Sequence, residues 1–165
     1  MHVLVTSASR HGSTHEIAEA IAAGLARRGV DAEARPVEEL AGLDGYDAYV
    51  IGSAVYIGRW LEPARELVEG KEGALAQVPV WLFSSGPLGP PDALKPEGEP
   101  VDVAGLIEAS RAIGHRVFAG RLDRKRLSFT EKAVVIAVRA PEGDFRDWEA
   151  IDAFAAEIAG RLHDG

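Results

Sequence analysis

The chain begins with the stretch Val3-Leu4-Val5-Thr6-Ser7-Ala8-Ser9-Arg10-His11-Gly12-Ser13-Thr14. Its apolar start predicts a buried strand, and the apolar spacing after Ser13 predicts an amphipathic helix. Hydroxyl side chains and a glycine therefore occupy a loop that leads from a strand into a helix N-terminus. In such a loop, backbone N–H groups and the positive end of the helix dipole point toward the bound ligand. The stretch predicts an anion-binding site.

The sequence of this first loop narrows the kind of anion. It lacks the Gly-Lys-Ser/Thr of nucleoside triphosphate loops and the Gly-x-Gly-x-x-Gly of dinucleotide sites. Neutral hydroxyl and N–H donors suit a single phosphate monoester, and flavin mononucleotide (FMN) is the common ligand of that kind. The first-loop residues expected at this ligand are Ser7, Ser9, Arg10, His11, Gly12, Ser13 and Thr14.

Length and composition exclude several classes of protein. A chain of 165 residues fits a single domain with a substantial core. The absence of cysteine excludes disulfides, thiolate metal sites and cysteine nucleophiles. A net charge of −8 argues against nucleic-acid binding. Neither a long apolar run nor an export signal is found, so we expect a cytoplasmic protein.

Strand-like and helix-like segments alternate along the chain, which predicts an α/β fold with an open parallel sheet and helices on both faces. The five predicted strands cover residues 3–5, 30–37, 47–53, 78–83 and 115–122. The predicted helices cover 14–28 (capped by Ser13), 58–68, 103–113, 129–139 and 148–162. The helix over 129–139 competes with a strand, because residues 133–138 are mostly β-branched while Ser128 to Glu131 form a capping-box sequence.

Three loops leave the carboxyl ends of predicted strands, where parallel sheets bind their ligands. They cover residues 7–14, 53–59 and 84–89, and all three are rich in glycine and small hydroxyl residues. We therefore extend the expected cofactor site to the second and third loops. Its residues there are Ala54, Val55, Tyr56, Ile57, Gly58, Ser84, Ser85 and Gly86.

These motifs resemble the flavodoxin family over essentially the whole chain. The family's phosphate loop, Thr/Ser-x-Thr/Ser-x-x-Gly-x-Thr, is similar to residues 7–14, and its aromatic second loop is similar to residues 52–58, with Tyr56 as the aromatic residue. The resemblance implies a flavodoxin-like three-layer sandwich whose five-stranded parallel sheet has the order 2-1-3-4-5. It also implies FMN as the cofactor, with the Tyr56 ring against the isoalloxazine.

Within that family the chain resembles the menaquinone-dependent protoporphyrinogen oxidases. The shared features are the spacing from Ile51 to Gly58, an inserted segment after the fifth strand, and an ending similar to Asp147-Trp148-Glu149. This resemblance implies an oxidoreductase of haem biosynthesis with a porphyrinogen substrate and a quinone acceptor. The second loop has Tyr56-Ile57 where those oxidases have an Arg-Tyr pair.

Three functional alternatives stay open at this point. The chain is an FMN-dependent enzyme, an electron carrier between redox-protein partners, or a flavodoxin-like domain that binds no FMN. The run Arg121-Leu122-Asp123-Arg124-Lys125-Arg126 places four basic residues in six positions. It is either a solvated loop or a docking site for an anionic substrate, an acidic protein or a peripheral membrane contact.

Overall fold

The computed structural model describes residues 1–86, 102–122, 128, 131–132 and 143–165. Within them, five strands form a parallel sheet in the order β2-β1-β3-β5-β6. These strands are β1 (His2–Ala8), β2 (Asp31–Pro36), β3 (Ala48–Tyr56), β5 (Val80–Ser85) and β6 (Gly114–Phe118). A short strand, β4 (Arg59–Trp60), pairs antiparallel with the end of β3. Strands β7 (Arg121–Leu122) and β8 (Gly143–Asp144) pair with each other in a separate ribbon.

Helices cover both faces of the sheet. They are α1 (Ser13–Ala26), α2 (Glu62–Gly70), α3 (Glu72–Leu75), α4 (Ala104–Ser110) and α5 (Trp148–Asp164), with a 3-10 turn at Val37–Glu39. Successive side chains of a strand point to opposite faces: Val3 and Val5 pack in the core beside α1 and α5, and Leu4 packs in the core beside α2 and α4. The predicted flavodoxin-like sandwich and its strand order are confirmed.

The helix predicted to begin at Gly58 instead begins at Glu62. Ile57 and Gly58 both have positive φ and form a two-residue turn, so that β4 folds back and Trp60 pairs with Val55. The prediction that Ser13 caps α1 is also wrong. Gly12 occupies the N-cap position, and no side chain makes a capping hydrogen bond there.

The fifth parallel strand is shorter than predicted, because the chain leaves the sheet after Phe118. The strand predicted over 115–122 ends at Phe118, and residues 121–122 pair with β8 instead. Ser128 and Glu131 make the two reciprocal hydrogen bonds of a capping box, as the sequence predicted. The rest of the predicted helix over 129–139, except Glu131 and Lys132, lies outside the described residues, as do residues 87–89 of the third loop.

None of the helices in the described part of the chain is long and apolar enough to cross a membrane.

Candidate anion and cofactor site

Parallel pairing brings the three predicted loops to one edge of the sheet. Ala8 at the end of β1 lies beside Ser53 of β3, and Ser53 lies beside Ser84 of β5. The loops that follow these strands therefore leave from adjacent positions at the carboxyl edge. The structure thus brings together the residues that the sequence assigned to a single site.

The first loop ends in a glycine that its conformation requires. Gly12 has φ 86°, in the left-handed region where a side chain is strained, and it is the N-cap of α1. Its N–H donates to Ser9 Oγ at 3.0 Å, which closes the loop. The first intrahelical bond runs from the Glu16 N–H to the Gly12 carbonyl, so the N–H groups of residues 13–15 precede the helix ladder and are suited to an anion.

Thr14 has a buried hydroxyl without a hydrogen-bond partner among the described residues. The residue is fully buried in the first turn of α1. A buried polar group left unpaired costs about 1–3 kcal/mol, and the Thr14 hydroxyl, at a helix N-terminus, is placed where a ligand could supply the missing bond. The loop therefore fits a phosphate group held by neutral donors.

Ser7, which the motif places at the expected ligand, contacts a histidine of α1. Its side chain is fully buried, and its Oγ lies 2.6 Å from Nδ1 of His15 in the first turn of α1. This contact joins the end of β1 to the helix that carries the loop's N–H groups. Sequence reasoning missed His15, although a position directly after the anion loop in the first helical turn was a signal that pointed to it.

The two basic residues of the first loop contact distant parts of the chain. The guanidinium carbon of Arg10 lies 4.4 Å from the centre of the Tyr56 ring, which connects the first and second loops. Arg10 Nη1 also lies 3.4 Å from Glu131 Oε2, and His11 Nε2 lies 3.0 Å from the same oxygen. Glu131 belongs to the inserted segment, residues 119–147, between β6 and α5.

The turn of the second loop holds a β-branched residue in an unfavourable conformation. Ile57 has φ 50° and Gly58 has φ 73°, and the Ile57 side chain is 72% exposed. Two-residue turns with two positive φ values favour Asn-Gly, because isoleucine is strained in the left-handed region. Ser53 anchors the base of this hairpin by accepting a hydrogen bond from the Leu61 N–H at 2.9 Å.

We expect Ile57→Asn to raise the free energy of unfolding by about 1 kcal/mol, because asparagine adopts the left-handed region with less strain. Urea unfolding of both proteins measures the difference. Gly58→Ala is the matched control in the same turn and is expected to lower stability. An Ile57→Asn protein less stable than the wild type would show that the exposed isoleucine stabilises the hairpin.

The third loop begins from a hydrogen-bonded interior. Ser84 is fully buried, accepts a bond from Trp60 Nε1 at 2.8 Å, and has His115 Nε2 at 2.8 Å from its Oγ. Trp60 itself is buried in the core beside α2. Gly86 has φ 108°, and its N–H donates to the Phe118 carbonyl at 2.7 Å. The Ser84 hydroxyl is thus engaged within the fold, and the backbone of residues 84–86 forms the edge of the site.

An arginine of the inserted segment supports the first turn of α1. The Arg146 side chain is only 5% exposed and makes ion pairs with Asp144 and with Glu16 of α1. Its Nη1 also lies 3.4 Å from the Ser13 carbonyl. Hydrogen bonds from this guanidinium lower the pKa of both carboxyl groups. Arg121, the first residue of the basic run, lies 3.7 Å from Glu16, and residues 123–127 lie outside the described part.

Glu131 is held as a carboxylate beside the first loop. Burial opposes its ionisation, but hydrogen bonds from His11 and Ser128 outweigh burial and lower its pKa from 4.5 to about 2. A carboxyl group with a lowered native pKa stabilises the fold fully above its unfolded pKa. That contribution is lost as the pH falls from about 4.5 toward 2.

We expect the Glu131→Gln protein to lose less stability than the wild type between pH 4.5 and pH 2.5. The shift of Glu131 corresponds to a difference of at most about 3 kcal/mol, and the other carboxyl groups titrate in both proteins. Urea unfolding at several pH values measures the two slopes. Parallel slopes would show that the pKa of Glu131 is ordinary in the native protein.

Most of the chain matches a known protein family. Residues 4–148 match the family described as the flavodoxin domain. The chain belongs to the flavodoxin domain family. Family membership implies a redox protein with a flavin cofactor, and the orphaned Thr14 hydroxyl at the end of the first loop fits the phosphate of such a cofactor.

Individual proteins of known sequence or structure are similar to this chain over nearly its whole length. The protoporphyrinogen IX dehydrogenase [quinone] of Escherichia coli strain K12 is 24% identical over 172 residues, which cover 96% of this chain and 95% of that protein. An archaeal flavodoxin has a TM-score of 0.64 at 18% identity, with 99% of both chains covered. Rubredoxin oxygen:oxidoreductase of Desulfovibrio gigas has a TM-score of 0.64 at 13% identity, and this chain spans only 36% of its length.

Proposed function

We propose that this flavodoxin-domain protein is an FMN-dependent oxidoreductase that transfers hydrogen from a porphyrinogen-type donor to a quinone. The similarity to a quinone-linked protoporphyrinogen IX dehydrogenase supports this proposal, because it extends over 96% of this chain and 95% of that protein. Both the sandwich and the inserted segment therefore take part in the comparison.

The observation that carries the choice of FMN is the buried Thr14 hydroxyl, which lacks a partner among the described residues. A riboflavin-type ligand has no phosphate to supply that partner. The N–H groups of residues 13–15 and the N-terminus of α1 favour a dianion at the same place. The Arg10 side chain also belongs to this loop, where its guanidinium lies 3.4 Å from Glu131.

The residues of the second and third loops would hold the ring of the cofactor. Tyr56 offers an aromatic face beside Arg10, and the backbone of residues 84–86 borders the same edge of the sheet. FMN, when bound, supplies the redox chemistry, so the protein contributes binding, orientation and electrostatics. No acid–base pair of side chains is required at the site.

The basic run of the inserted segment is the proposed docking site for an anionic partner, either the carboxylates of the substrate or the surface of a membrane that contains the quinone. Arg121 lies against Glu16 in the first turn of α1, close to the first loop. This contact supports the proposal, because it brings the start of the run to the first turn of the helix that follows the first loop. If the protein is instead an electron carrier, an acidic redox-protein partner would dock on the same basic run.

The decisive experiment compares electron acceptors and donors with the FMN-loaded protein. Quinone-linked oxidation of protoporphyrinogen is measured anaerobically, and electron exchange with a flavodoxin reductase is measured in parallel. We expect porphyrinogen oxidation that depends on menaquinone and falls when Arg121, Arg124, Lys125 and Arg126 are all neutralised. A protein that exchanges electrons with the reductase but never oxidises the porphyrinogen is an electron carrier, and the proposal is then wrong.

A further inference from the structure

The two basic side chains of the first loop, Arg10 and His11, share one carboxylate. His11 Nε2 lies 3.0 Å and Arg10 Nη1 lies 3.4 Å from the same oxygen, Oε2 of Glu131. The carboxylate comes from a part of the chain 120 residues away from His11. One oxygen atom of Glu131 thus contacts both basic side chains that the first loop would otherwise offer to a ligand.

Glu131 is fixed in this position by bonds on its own segment. The residue is 8% exposed, its Oε1 accepts a hydrogen bond from the Ser128 N–H at 3.2 Å, and its own N–H donates to Ser128 Oγ at 3.2 Å. The capping box uses Oε1 and leaves Oε2 for the loop. The two carboxylate oxygens therefore have separate tasks, and only Oε2 faces the basic residues.

The arrangement resembles the way in which basic side chains hold a phosphate oxygen. Charge-assisted hydrogen bonds from arginine and histidine are the strong contacts of phosphate sites. In this protein Arg10 and His11 already contact the Glu131 carboxylate, beside a helix N-terminus and an orphaned Thr14 hydroxyl that favour a second anion. Two anions in the same loop repel each other.

We propose that Glu131 is an internal competitor for the phosphate of the loop's ligand, and that a phosphate monoester must take over Arg10 and His11 from it. This inference rests on the proposed function, because it assumes that the loop binds the phosphate of FMN. It makes Glu131 a specificity-determining residue. By holding Arg10 and His11, its carboxylate lowers the affinity for every phosphate-bearing ligand and leaves ligands without a phosphate unaffected.

The test uses the purified apoprotein, with FMN and riboflavin titrated separately by fluorescence quenching. Glu131→Gln removes the charge and keeps an oxygen that can accept the Ser128 N–H. We expect it to tighten FMN binding about tenfold, the effect of one charge-assisted contact, and to leave riboflavin binding unchanged. Inorganic phosphate, used as a competitor of FMN, should also bind more tightly to the variant.

The control is Glu19→Gln, which makes the same change of charge at an exposed position in α1, about one turn after Glu16. It is expected to change FMN affinity less than twofold, because exposed charges are screened over about 10 Å at ordinary salt concentrations. An equal gain in both variants would attribute the effect to net charge and overturn the proposal. Unchanged or weaker FMN binding in Glu131→Gln alone would also overturn it.

A measurement on the unaltered protein gives an independent check if Glu131→Gln folds poorly. The side-chain carboxyl 13C resonance of Glu131 and the ring resonances of His11 are followed while FMN or riboflavin is added. Competition predicts that FMN shifts both groups and riboflavin shifts neither. A Glu131 signal that FMN leaves unchanged would overturn the proposal. If the wild-type protein binds FMN and riboflavin equally tightly, the phosphate site is refuted, and with it the proposed cofactor.

Discussion

Replacing Thr14 with valine is expected to weaken FMN binding by about ten- to a hundredfold and to leave riboflavin binding nearly unchanged. Valine has almost the shape of threonine but no hydroxyl, so the substitution removes one hydrogen bond to a charged phosphate. The hydroxyl has no partner among the described residues, so its removal should not destabilise the apoprotein. Fluorescence titration and urea unfolding measure the two effects separately.

Thr6→Val is the matched control for this prediction. Thr6 is also fully buried, and its hydroxyl likewise lacks a partner among the described residues, but it lies within β1 and before the loop. Its replacement is expected to leave FMN affinity unchanged and to raise the free energy of unfolding by about 1 kcal/mol, the benefit of removing an unsatisfied buried group. Equal losses of FMN affinity in the two variants would mean that packing around the strand, and not a phosphate contact, is responsible.

The second large effect is expected for Arg146→Met, which should lower the free energy of unfolding by about 1–3 kcal/mol, because a buried guanidinium is lost while both carboxylates that it pairs with are nearly half exposed. The guanidinium is 5% exposed and pairs with Asp144 at 2.7 Å as well as with Glu16. Removing it leaves two carboxylates without their cation at the junction of β8 and α1. Because its Nη1 also contacts the Ser13 carbonyl, FMN affinity should fall along with stability.

Arg27→Met is the control for the loss of an arginine from an ion pair. Arg27 pairs with Asp152 at 2.8 Å, but its side chain is 62% exposed. Exposed pairs contribute at most about 1 kcal/mol, because solvent screens them. Urea unfolding of the two variants at the same pH and salt concentration measures both effects. Similar small losses in both proteins would show that the Arg146 cluster is solvated in solution.

The main features of the fold could be predicted from the sequence because they depend on local patterns. The apolar run at Val3 to Val5 and the helical spacing after Ser13 are local signals, and both lie where expected in the structure. Strand order came from the resemblance to the flavodoxins, since periodicity alone does not specify which strands are neighbours. The hairpin at Ile57 was missed because isoleucine is an unusual residue at a position with positive φ.

The contacts around the candidate site depend on tertiary packing and were not predicted from the sequence. The sequence places Ser7 and Ser84 at the expected cofactor site, but it does not show that their hydroxyl groups contact His15 and His115. A partner such as Glu131, 120 residues from His11, has no local signature. The capping-box motif that contains it was recognised, but only folding brings its second oxygen to the first loop.

The first loop, residues 7–14, is the proposed binding site for the phosphate of a flavin. Separate titrations of the wild-type apoprotein with FMN and with riboflavin, under identical buffer and salt conditions, test it most directly. The N–H groups of residues 13–15 and the Thr14 hydroxyl predict that FMN binds at least about tenfold more tightly than riboflavin. Equal dissociation constants for the two flavins would refute this phosphate site, because the loop would then contribute nothing to recognition of the phosphate.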